Sequence, residues 1–433
     1  QTYAPGPRYK NIRLRVMSDS YDVVVVGGGL VGLSTALLLD AAVSQQLRIA
    51  IVEARPPALP SSGSLPDMSL RVSALSPASV SILESLGVWP TVLAQRVSPY
   101  SGMYVWHSST PGSFDHVLEF SAAELGTREL GFIVENDLLR NALWKKALAT
   151  PAIDILPPAS PHSISISEDG AELVLSDASA VSARLLVAAD GANSHLRELL
   201  NVHVEGGEYS QRGIVANIIA ERPHQGIAYQ RFLATGPVAL LPLKGGRCSL
   251  VWSCADALAD ELLALDDAAF SNRLTEATEG VLGDLQCVAQ RMAFPLAYAH
   301  ADSYSGLRFA LVGDAAHRVH PLAGQGVNLG FLDAAALAET LASNMPAQYA
   351  DPGDPLILRR YARWRRRDNE LTLSMMNLLH RVFAGNPGAD DGRLAKIGGQ
   401  GLALVNAIEP AKRVFAEHAL GRAGDLPAVA KRQ

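Results

Sequence analysis

Residues 23–53 restrict the fold of this chain more than any other segment. The segment begins with four consecutive valines at residues 23–26, and a β-branched run of this kind is typical of a strand buried in a parallel sheet. Three glycines in the spacing GxGxxG follow at once: Gly27, Gly29 and Gly32. A helix pattern comes next, and then a second strand pattern that ends in an acid, Glu53. This order predicts the βαβ unit of a Rossmann-like, dinucleotide-binding α/β fold.

Each of these residue types has a physical role in such a unit. Gly27 would permit the tight turn, Gly29 would let a pyrophosphate approach the backbone, and Gly32 would let helix and strand pack closely. Glu53, about twenty residues beyond Gly32, would accept hydrogen bonds from ribose hydroxyls. Its charge would repel a 2′-phosphate, which disfavours NADP at this site. The alternative is a glycine-rich turn that binds no ligand.

A second loop with ligand-binding character lies far along the chain. Residues 309–312 form an apolar run, short enough for a buried strand, which breaks at Gly313-Asp314. A glycine-rich loop at residues 324–326 then precedes an Ala- and Leu-rich helix pattern at residues 327–341. The backbone N–H groups of such a loop and of the helix N-terminus would face a bound anion or polar ring. Asp314 could accept hydrogen bonds from the hydroxyls of a sugar or polyol.

The composition argues against several other classes of function. Of the 433 residues nearly half are hydrophobic, which allows a large core and more than one lobe. The net charge of −6 argues against nucleic acid as a partner. The three cysteines contain no CxxC pair, so neither a disulfide framework nor a zinc site is expected, and a reducing compartment is the default. The longest apolar stretch, residues 23–39, is nearly long enough for a membrane span, but its glycines stand where a phosphate-binding turn needs them.

The chain is predicted to contain a discontinuous dinucleotide-binding domain. Short strand patterns recur between about residues 206 and 291, and they predict a mostly antiparallel β-sheet inserted into that domain. The predicted boundaries place the dinucleotide-binding domain at residues 17–95, 121–205 and 294–345, the inserted substrate-binding sheet at residues 96–120 and 206–293, and a C-terminal helical region at residues 346–433.

The two ends of the chain are less informative. Residues 1–16 carry four basic residues and no acid, and they are interpreted as an extension before Met17, with a basic targeting segment as the alternative. Near the other end, helix patterns are predicted at about residues 356–383 and 403–419. The first of these carries six arginines within residues 359–367, which predict a solvated face or, alternatively, a patch for a partner or an anionic membrane.

Three further positions carry polar side chains where a cleft could form. Arg71 is either a surface cation or a side chain that points into the cofactor cleft. Asn136 or Asp137 is expected to cap the helix that follows. Asp190-Gly191 ends another buried strand, either as a second contact point for the dinucleotide or as an ordinary strand-to-helix turn.

Together and in this order, the markers resemble those of the class A flavoprotein aromatic hydroxylases, which have the p-hydroxybenzoate hydroxylase fold. The resemblance is strongest to the ubiquinone-biosynthesis FAD hydroxylases of the UbiH/UbiI/UbiF type and their mitochondrial counterpart. It extends from about residue 21 to residue 421 and rests on Arg71-Val-Ser-Ala-Leu75, Gly131-Phe-Ile-Val-Glu-Asn136, Gln230-Arg231-Phe232, Gly236-Pro-Val-Ala-Leu-Leu-Pro242 and, most specifically, Gly313-Asp-Ala-Ala-His-Arg-Val-His-Pro-Leu-Ala-Gly-Gln-Gly-Val-Asn328. One departure is Tyr229, which precedes Gln230 where some members have Trp.

The resemblance implies FAD as the cofactor and assigns residues to it. The implied cofactor-binding residues are Gly27, Gly29, Gly32, Glu53, Arg71, Asn136, Asp314, Pro321, Gln325, Gly326, Val327 and Asn328. Gly27, Gly29, Gly32 and Glu53 would hold the ADP half of FAD. Arg71 and Asn136 would lie near the flavin or its phosphates, and Asp314 would bind the ribityl chain or pyrophosphate. Pro321 would lie near the reactive edge of the flavin. The backbone of residues 325–328 would lie against the isoalloxazine. No catalytic base is named, and for His317 and His320 a structural role is favoured.

The implied activity is hydroxylation of the aromatic ring of a polyprenylated phenol in ubiquinone biosynthesis, with O₂ and through a C4a-hydroperoxyflavin. The electron donor would be NAD(P)H, a reductase or a ferredoxin. Further expected partners are other ubiquinone-biosynthesis proteins, a second copy of the chain in a homo-oligomer, and a membrane surface contacted peripherally. The expected location is the cytoplasm, at the inner face of the membrane, or the mitochondrial matrix in a eukaryote.

Three alternative functions would share the FAD markers. A flavin halogenase should carry a WxWxIP motif, which this sequence lacks. A polyprenyl reductase of the same fold would reduce double bonds without O₂. A non-catalytic, FAD-binding scaffold subunit of a biosynthetic complex would form no product. Consumption of O₂ with formation of a hydroxylated product separates the hydroxylase from all three.

Overall fold

The computed structural model describes residues 20–43, 47–59, 68–108, 117–288, 290–319, 326–345, 351–383, 421 and 424–431, with the backbone alone from 375 to 383. The strands are β1 (Ser20–Val26), β2 (Ile49–Val52), β3 (Val72–Leu75), β4 (Ser98–Tyr100), β5 (Gly102–His107), β6 (Leu118–Ser121), β7 (Gly131–Glu135), β8 (Ile153–Ile155), β9 (Pro161–Ile166), β10 (Ala171–Leu175), β11 (Ala180–Ala188), β12 (Val204–Ala220), β13 (Ile227–Leu233), β14 (Gly236–Pro242), β15 (Arg247–Ala255), β16 (Leu285–Cys287), β17 (Met292–Ala301), β18 (Ser305–Gly306), β19 (Phe309–Leu311) and β20 (His317–Arg318). The helices are α1 (Leu30–Ala42), α2 (Pro77–Ser85), α3 (Trp89–Leu93), α4 (Asn136–Leu148), α5 (His195–Leu199), α6 (Asp256–Ala264), α7 (Asp267–Ala277), α8 (Gly326–Asn344) and α9 (Pro355–Phe383), with short 3-10 helices at Gly313–Ala315 and Ala428–Ala430.

The first sheet, called the parallel sheet below, has the strand order β18-β19-β11-β1-β2-β8, with β10 and β9 continuing antiparallel from β11. Strand β1 pairs in parallel with β2 on one side and with β11 on the other, so the strand order reverses at β1. Its valines are completely or almost completely buried, which explains why the run carries no polar residue. Helices α1 and α8 pack against each other beside this sheet. The turn after β1 therefore lies at the switch point of a doubly wound sheet.

The second sheet, called the insert sheet below, has the order β20-β17-β12-β15-β14-β13-β5-β6, with β16 beside β12. Its strands pair antiparallel except for β13 with β5. Alternate side chains of one face, such as Ile214, Leu250 and Trp252, form a core with Phe270 and Leu274 of α7. The residues between them face the other way, toward the parallel sheet, as the two-residue period of a strand requires.

Three details of the elements differ from the sequence analysis. Helix α6 was not predicted. Strand β17 stays paired to β12 as far as Ala301, beyond residue 293 where the inserted sheet was predicted to end. Helix α4 has Glu135 as its N-cap, without a side-chain hydrogen bond, so the predicted cap at Asn136 or Asp137 is wrong. Glu135 instead accepts two hydrogen bonds from the Arg96 guanidinium.

None of the helices in the described residues combines the length and the apolar character that a membrane span requires. Residues 1–16 and the helix predicted at 403–419 lie outside the described residues.

A buried carboxylate, Asp333 of α8, joins the end of the parallel sheet to α8 and α9. Its Oδ2 accepts hydrogen bonds from the N–H of Gly313 at 3.0 Å and from Nε2 of His317 at 2.6 Å. Its Oδ1 accepts from Nε of Arg365 on α9 at 2.8 Å. The three side chains are almost completely buried. The network therefore holds the turn that carries Asp314 against both helices.

The buried charges of this network complement one another. Burial alone would raise the pKa of Asp333, but His317 and Arg365 lower it to about 2. Arg365 also donates to Asp368 at 3.2 Å and to Asn369 at 3.0 Å, so its guanidinium is well supplied with acceptors. The prediction that the arginines of this helix form a solvated face is wrong for Arg365, since only 1% of its surface is exposed.

Replacing Arg365 by methionine should destabilise the fold severely. The variant Arg365→Met leaves the charge of Asp333 buried without one of its partners, which we expect to cost about 3–5 kcal/mol in the free energy of unfolding. Arg367→Met, on the exposed side of the same helix, is the matched control and should stay within about 0.5 kcal/mol of the wild type. Urea unfolding measures both, and similar losses in the two variants would contradict the role of Arg365.

Acid should remove the stabilisation that Asp333 provides. Its pKa of about 2 in the fold lies below the value of about 3.9 in an unfolded chain. The contribution, on the order of 2 kcal/mol, is therefore present above pH ~4 and is lost as the pH falls from about 4 to about 2. Asp333→Asn removes the titrating group, so the difference between the unfolding free energies of the two proteins should be constant above pH ~4 and should change by on the order of 2 kcal/mol as the pH falls to about 2. A difference that stays constant over this range would assign the acid sensitivity to other groups.

Candidate active site

A cavity of about 640 Å³ lies between the carboxyl ends of the parallel strands and the insert sheet. It adjoins the switch point at β1, where open α/β sheets bind their ligands, and its size is typical of a small-molecule site. The cavity wall includes the following residues from the predicted cofactor set: Gly29, Arg71, Asn136, Asp314, Gly326 and Val327. The structure thus brings together residues from both ends of the chain, and this cavity is the candidate active site.

The glycine-rich turn between β1 and α1 has the shape that its spacing predicts. Gly27 has a φ of +112°, and a Cβ there would lie 2.3 Å from the carbonyl oxygen of Ala189. A Cβ on Gly32 would lie 1.9 Å from the carbonyl oxygen of Gly27, so glycine is needed for α1 to pack this closely. A Cβ on Gly29 would meet nothing within 4 Å. That open space adjoins the first turn of α1, whose N–H groups lack intrahelical acceptors and favour an anion.

Glu53 directly follows β2 and lies beside this turn. Its Oε2 accepts a hydrogen bond from the N–H of Gly28, and its Oε1 accepts one from the N–H of Arg55, both at 2.7 Å. Arg140 approaches Oε2 at 3.3 Å. A carboxylate has about four acceptor sites, so Glu53 retains capacity for a ribose hydroxyl. Its role toward the ribose stays a prediction.

Arg140 is a residue of the site that the sequence analysis missed. Its Nε donates to the carbonyl oxygen of Gly28 and its Nη2 donates to that of Arg55, both at 2.9 Å. It also lines the cavity. Arg140 lies four residues after Asn136 on α4, and side chains at this spacing share one helix face, which was the available signal. The arginine places a positive charge beside the space at Gly29.

Asp314 and Arg71 face the cavity from different elements. The Asp314 side chain lines the cavity, and desolvation by the surrounding protein raises the pKa of Asp314 above its usual range. His317, Arg318 and Arg71 partly offset that shift. Of the two alternatives for Arg71, the structure supports the one in the cleft, although the side chain is also exposed. Opposite charges on one wall suit a ligand with both hydroxyl and phosphate groups.

The side chain of Asn328 is bonded within the protein rather than to the cavity. Its Oδ1 accepts from the N–H of Ser76 at 3.0 Å, and its Nδ2 donates to the carbonyl oxygen of Ala74 at 2.9 Å. Asn328 therefore ties the start of α8 to β3. Asn136 lines the cavity while its Oδ1 accepts from Oγ of Ser73 at 2.6 Å.

Helix α8 begins at Gly326, and Gly326 and Val327 form part of the cavity wall. The N–H groups of its first turn are suited to a partial negative charge. The other predicted residues of this loop, Pro321 and Gln325, lie outside the described residues, as does His320. Their roles stay predictions.

The carboxylate of Asp190 satisfies its own turn. It accepts hydrogen bonds from Oγ of Ser194 and from the N–H of Leu196. Gly191, with a φ of +88°, lines the cavity. The sequence analysis left two alternatives for Asp190-Gly191, a strand-to-helix turn and a contact point for the dinucleotide. The Asp190 side chain completes an ordinary strand-to-helix turn, whereas the Gly191 backbone reaches the candidate site.

No histidine or cysteine stands among the described residues of the cavity wall. Tyr100 lines it, but burial raises the pKa of this phenol to about 12, so it stays protonated near neutral pH and can donate a hydrogen bond. His317 is buried and bonded to Asp333, which is the structural role expected for it. Among the described residues, no group of three or more His, Cys, Asp or Glu side chains is arranged to hold a metal ion.

The residues present fit FAD. The open space at Gly29 suits a pyrophosphate, the cation of Arg140 lies beside it, and Asp314 can accept hydrogen bonds from a polyol. The FAD binding domain family matches residues 20–371 of this chain. Ubiquinone hydroxylase UbiL of Rhodospirillum rubrum is 36% identical over 401 residues, which cover 92% of this chain and 89% of that protein. The chain belongs to the family of FAD-dependent ubiquinone hydroxylases.

Other members of the ubiquinone hydroxylase family are similar over most of their length. The 3-demethoxyubiquinol 3-hydroxylase of Escherichia coli is 36% identical over 84% of this chain and 90% of its own. The human mitochondrial ubiquinone biosynthesis monooxygenase COQ6 is 33% identical over 90% of this chain and 91% of its own. Family membership confirms FAD as the cofactor and a monooxygenase of the oxidoreductase class as the enzyme type.

Solved structures confirm the fold expected of this hydroxylase family. PqsL of Pseudomonas aeruginosa, in complex with 2-aminobenzoylacetate, superposes with a TM-score of 0.70 at 23% identity, over 89% of this chain and 99% of that one. The p-nitrophenol 4-monooxygenase PnpA of Pseudomonas putida gives a TM-score of 0.70 at 19% identity, over 93% and 98% of the two chains. At these identities the likeness concerns the fold.

Two alanine substitutions should separate cofactor binding from folding in this hydroxylase. Gly29→Ala adds a methyl group in open space, so the apoprotein should unfold at the wild-type temperature while FAD affinity falls at least about tenfold. Gly32→Ala forces α1 away from Gly27, so the apoprotein itself should lose about 1–3 kcal/mol of stability. Flavin titration and thermal unfolding measure the two effects. Unchanged FAD affinity in Gly29→Ala would remove the pyrophosphate from this turn.

Proposed function

We propose that this protein hydroxylates the aromatic ring of a polyprenylated phenol in ubiquinone biosynthesis, with O₂ as co-substrate. The observation that carries the proposal is the composition of the cavity. A polar wall that fits FAD faces, within one cavity, an uncharged and mostly apolar wall formed by strands β12 to β15 of the insert sheet. The names of the relatives support the ring chemistry, since they include a ubiquinone hydroxylase and a 3-demethoxyubiquinol 3-hydroxylase.

On this proposal the polar wall binds and orients the cofactor. The turn at Gly29 and the first turn of α1 would receive the pyrophosphate, with Arg140 as a neighbouring cation. Asp314 would accept hydrogen bonds from the ribityl hydroxyls. The first N–H groups of α8, beginning at Gly326, would stabilise negative charge on the isoalloxazine. Bound FAD supplies the electron transfer and the activation of O₂.

The insert sheet would orient the ring and exclude water. Val215, Ala239 and Val251 line the cavity with apolar side chains from three adjacent strands. An apolar wall would keep water away from oxygen that is activated at the cofactor, and it would place the aromatic ring near that oxygen. Tyr100 is protonated at neutral pH and cannot serve as a base, and an electron-rich phenol needs little acid–base assistance. We therefore propose no catalytic base.

The partners and location are part of the same proposal. The electron donor is NAD(P)H or a reductase or ferredoxin, and the protein acts as a homo-oligomer together with other ubiquinone-biosynthesis proteins. Helix α9 suits peripheral contact with an anionic membrane, which would deliver the polyprenyl tail. Its exposed side chains include Leu356, Arg359, Arg360, Arg363, Arg366, Arg367 and Leu371. The location is then the inner face of the cytoplasmic membrane or, in a eukaryote, the mitochondrial matrix.

Deleting the gene should cause a prenylated phenol to accumulate. Mass spectrometry of the quinone intermediates identifies the compound and therefore the ring position that this enzyme modifies. Complementation with the wild-type gene should remove the intermediate, and the Gly29→Ala gene should do so less completely. Accumulation of no prenylphenol in the deletion strain would contradict a place in ubiquinone biosynthesis.

The purified holoprotein provides the direct test. With a reductant and the accumulated phenol it should consume O₂ and incorporate oxygen from isotopically labelled O₂ into the ring. A polyprenyl reductase would instead form a saturated product without O₂, and a scaffold subunit would form no product. The Gly29→Ala protein, which should bind less FAD, should lose activity in proportion to its flavin content.

A further inference from the structure

The guanidinium of Arg140 connects the two turns that follow β1 and β2. Its Nε donates to the carbonyl oxygen of Gly28 and its Nη2 donates to that of Arg55, both at 2.9 Å. Nη2 also lies 3.3 Å from Oε2 of Glu53. In a dinucleotide-binding fold these two turns hold the ADP half of the cofactor, the first at its diphosphate and the second at its ribose. Arg140 therefore fixes the position of one turn relative to the other.

Helix α4 holds the Arg140 side chain in this place. Trp144 follows Arg140 by one helical turn and is 2% exposed. A Cβ on Gly28 would lie 2.6 Å from Cζ3 of Trp144, so the indole packs directly against the glycine-rich turn. The Arg140 guanidinium lies 5.9 Å from the centroid of the Trp144 ring, within the range of a cation–π contact. Since groups of the protein set the position of the guanidinium, a ligand that binds it loses little affinity to side-chain ordering.

One nitrogen of the Arg140 guanidinium remains for a ligand. Nε and Nη2 share one edge of the planar group, and that edge is bonded to the backbone of the two turns. Nη1 carries two further N–H groups, and it makes no hydrogen bond to any residue that the structure describes. The side chain lines the cavity, and 26% of it is exposed. Arginine donors bind phosphate oxygens through short, charge-assisted hydrogen bonds.

The charges at this end of the cavity make Arg140 important for a diphosphate. Glu53 lies beside the guanidinium, and Asp137 lines the cavity from the first turn of α4. Both carboxylates would repel a ligand with two negative charges. Arg71 also lines the cavity, but its side chain is exposed, so water and salt screen its charge. Among the described side chains, the half-buried Arg140 is thus the cation best placed to attract an anion to the turn at Gly29.

We propose that Nη1 of Arg140 binds the diphosphate of FAD, and that the resulting ADP subsite also binds free ADP in competition with FAD. This subsite consists of the turns after β1 and β2 together with Arg140. Its parts are bonded to one another, so it does not need the flavin half of the cofactor. The inference concerns the cofactor and is independent of the aromatic substrate. Loading of the chain with FAD then depends on the ratio of FAD to free ADP.

Displacement of FAD from the holoprotein tests the competition. The holoprotein is incubated with ADP or with adenosine, and the FAD that passes an ultrafiltration membrane is measured by its visible absorbance. The two titrations give an inhibition constant for each compound, and the ratio of adenosine to ADP measures the contribution of the diphosphate. We expect the constant of ADP to be at least about tenfold lower than that of adenosine. Equal release of FAD by the two compounds, or no release by either, would overturn the inference.

Three variants test the assignment to Arg140. Arg140→Met removes the cation but keeps an apolar side chain against Trp144, so it should lower the adenosine-to-ADP ratio about tenfold and weaken FAD binding by a similar factor. Arg140→Lys keeps the charge without the planar fork, and it should lower the ratio only about threefold. Arg55→Met is the matched control, because it removes an exposed cation from the same turn and should leave the ratio unchanged.

The adenosine titration separates a contact with the diphosphate from a purely structural role. If Arg140 only held the two turns together, its loss would raise the constants of adenosine and ADP by the same factor. An unchanged ratio in the Arg140 variants would therefore overturn the inference, and Arg140→Lys alone decides if Arg140→Met does not yield a folded holoprotein. A fall of the ratio in Arg55→Met as large as in Arg140→Met would assign the effect to net charge and would also overturn it. The proposed hydroxylation is tested separately, by incorporation of labelled O₂ with the wild type.

Discussion

The hydrogen-bonded carboxylate of Asp333 holds the cofactor cavity together. It receives the backbone of Gly313 and the side chains of His317 and Arg365, all in a region without solvent. Removing two ions from water costs several kcal/mol each, and this cost is offset only when every partner is present. The position of the turn that carries Asp314 is therefore specified by charge as well as by packing. The same turn contacts Val31 of α1, so the constraint extends to the glycine-rich turn.

The two halves of the FAD site are far apart in the sequence and adjacent in the sheet. Strands β1 and β19 are both neighbours of β11, and the three run parallel, so the turns that follow β1 and β19 meet at one edge. The chain between them forms the insert sheet without disturbing that edge. The long excursion that builds most of the insert sheet begins along β12 and ends along β17, which pair with each other from Val204 and Ala301 onward. This arrangement lets one polypeptide supply both the cofactor wall and the opposite wall of the same cavity.

Local sequence pattern was sufficient where neighbouring residues determine the structure. The valine run, the spacing of Gly27 and Gly32 and the strand periodicity all predicted elements that the structure contains, because backbone geometry fixes these patterns over a few residues. Arg365 was misjudged because its partner, Asp333, lies on another helix, although Tyr361 and Asn369 mark a buried stripe at a four-residue spacing. Arg140 was missed because its partners, the carbonyl oxygens of Gly28 and Arg55, are distant in the sequence, although its four-residue spacing from Asn136 was a signal.

Because side chains alternate between the two faces of the insert sheet, substitutions that affect its stability and substitutions that affect the cavity occur at different residues. Residues that stabilise the sheet, such as Trp252, project toward α7, while their immediate neighbours in sequence project into the cavity. A substitution at a cavity position can therefore alter which aromatic ring is accepted while the core beneath stays intact. An insertion or deletion of a single residue would exchange the two sets and lose both properties at once. Diversification of substrate range in such a sheet should proceed by substitution at every second residue, with strand lengths conserved.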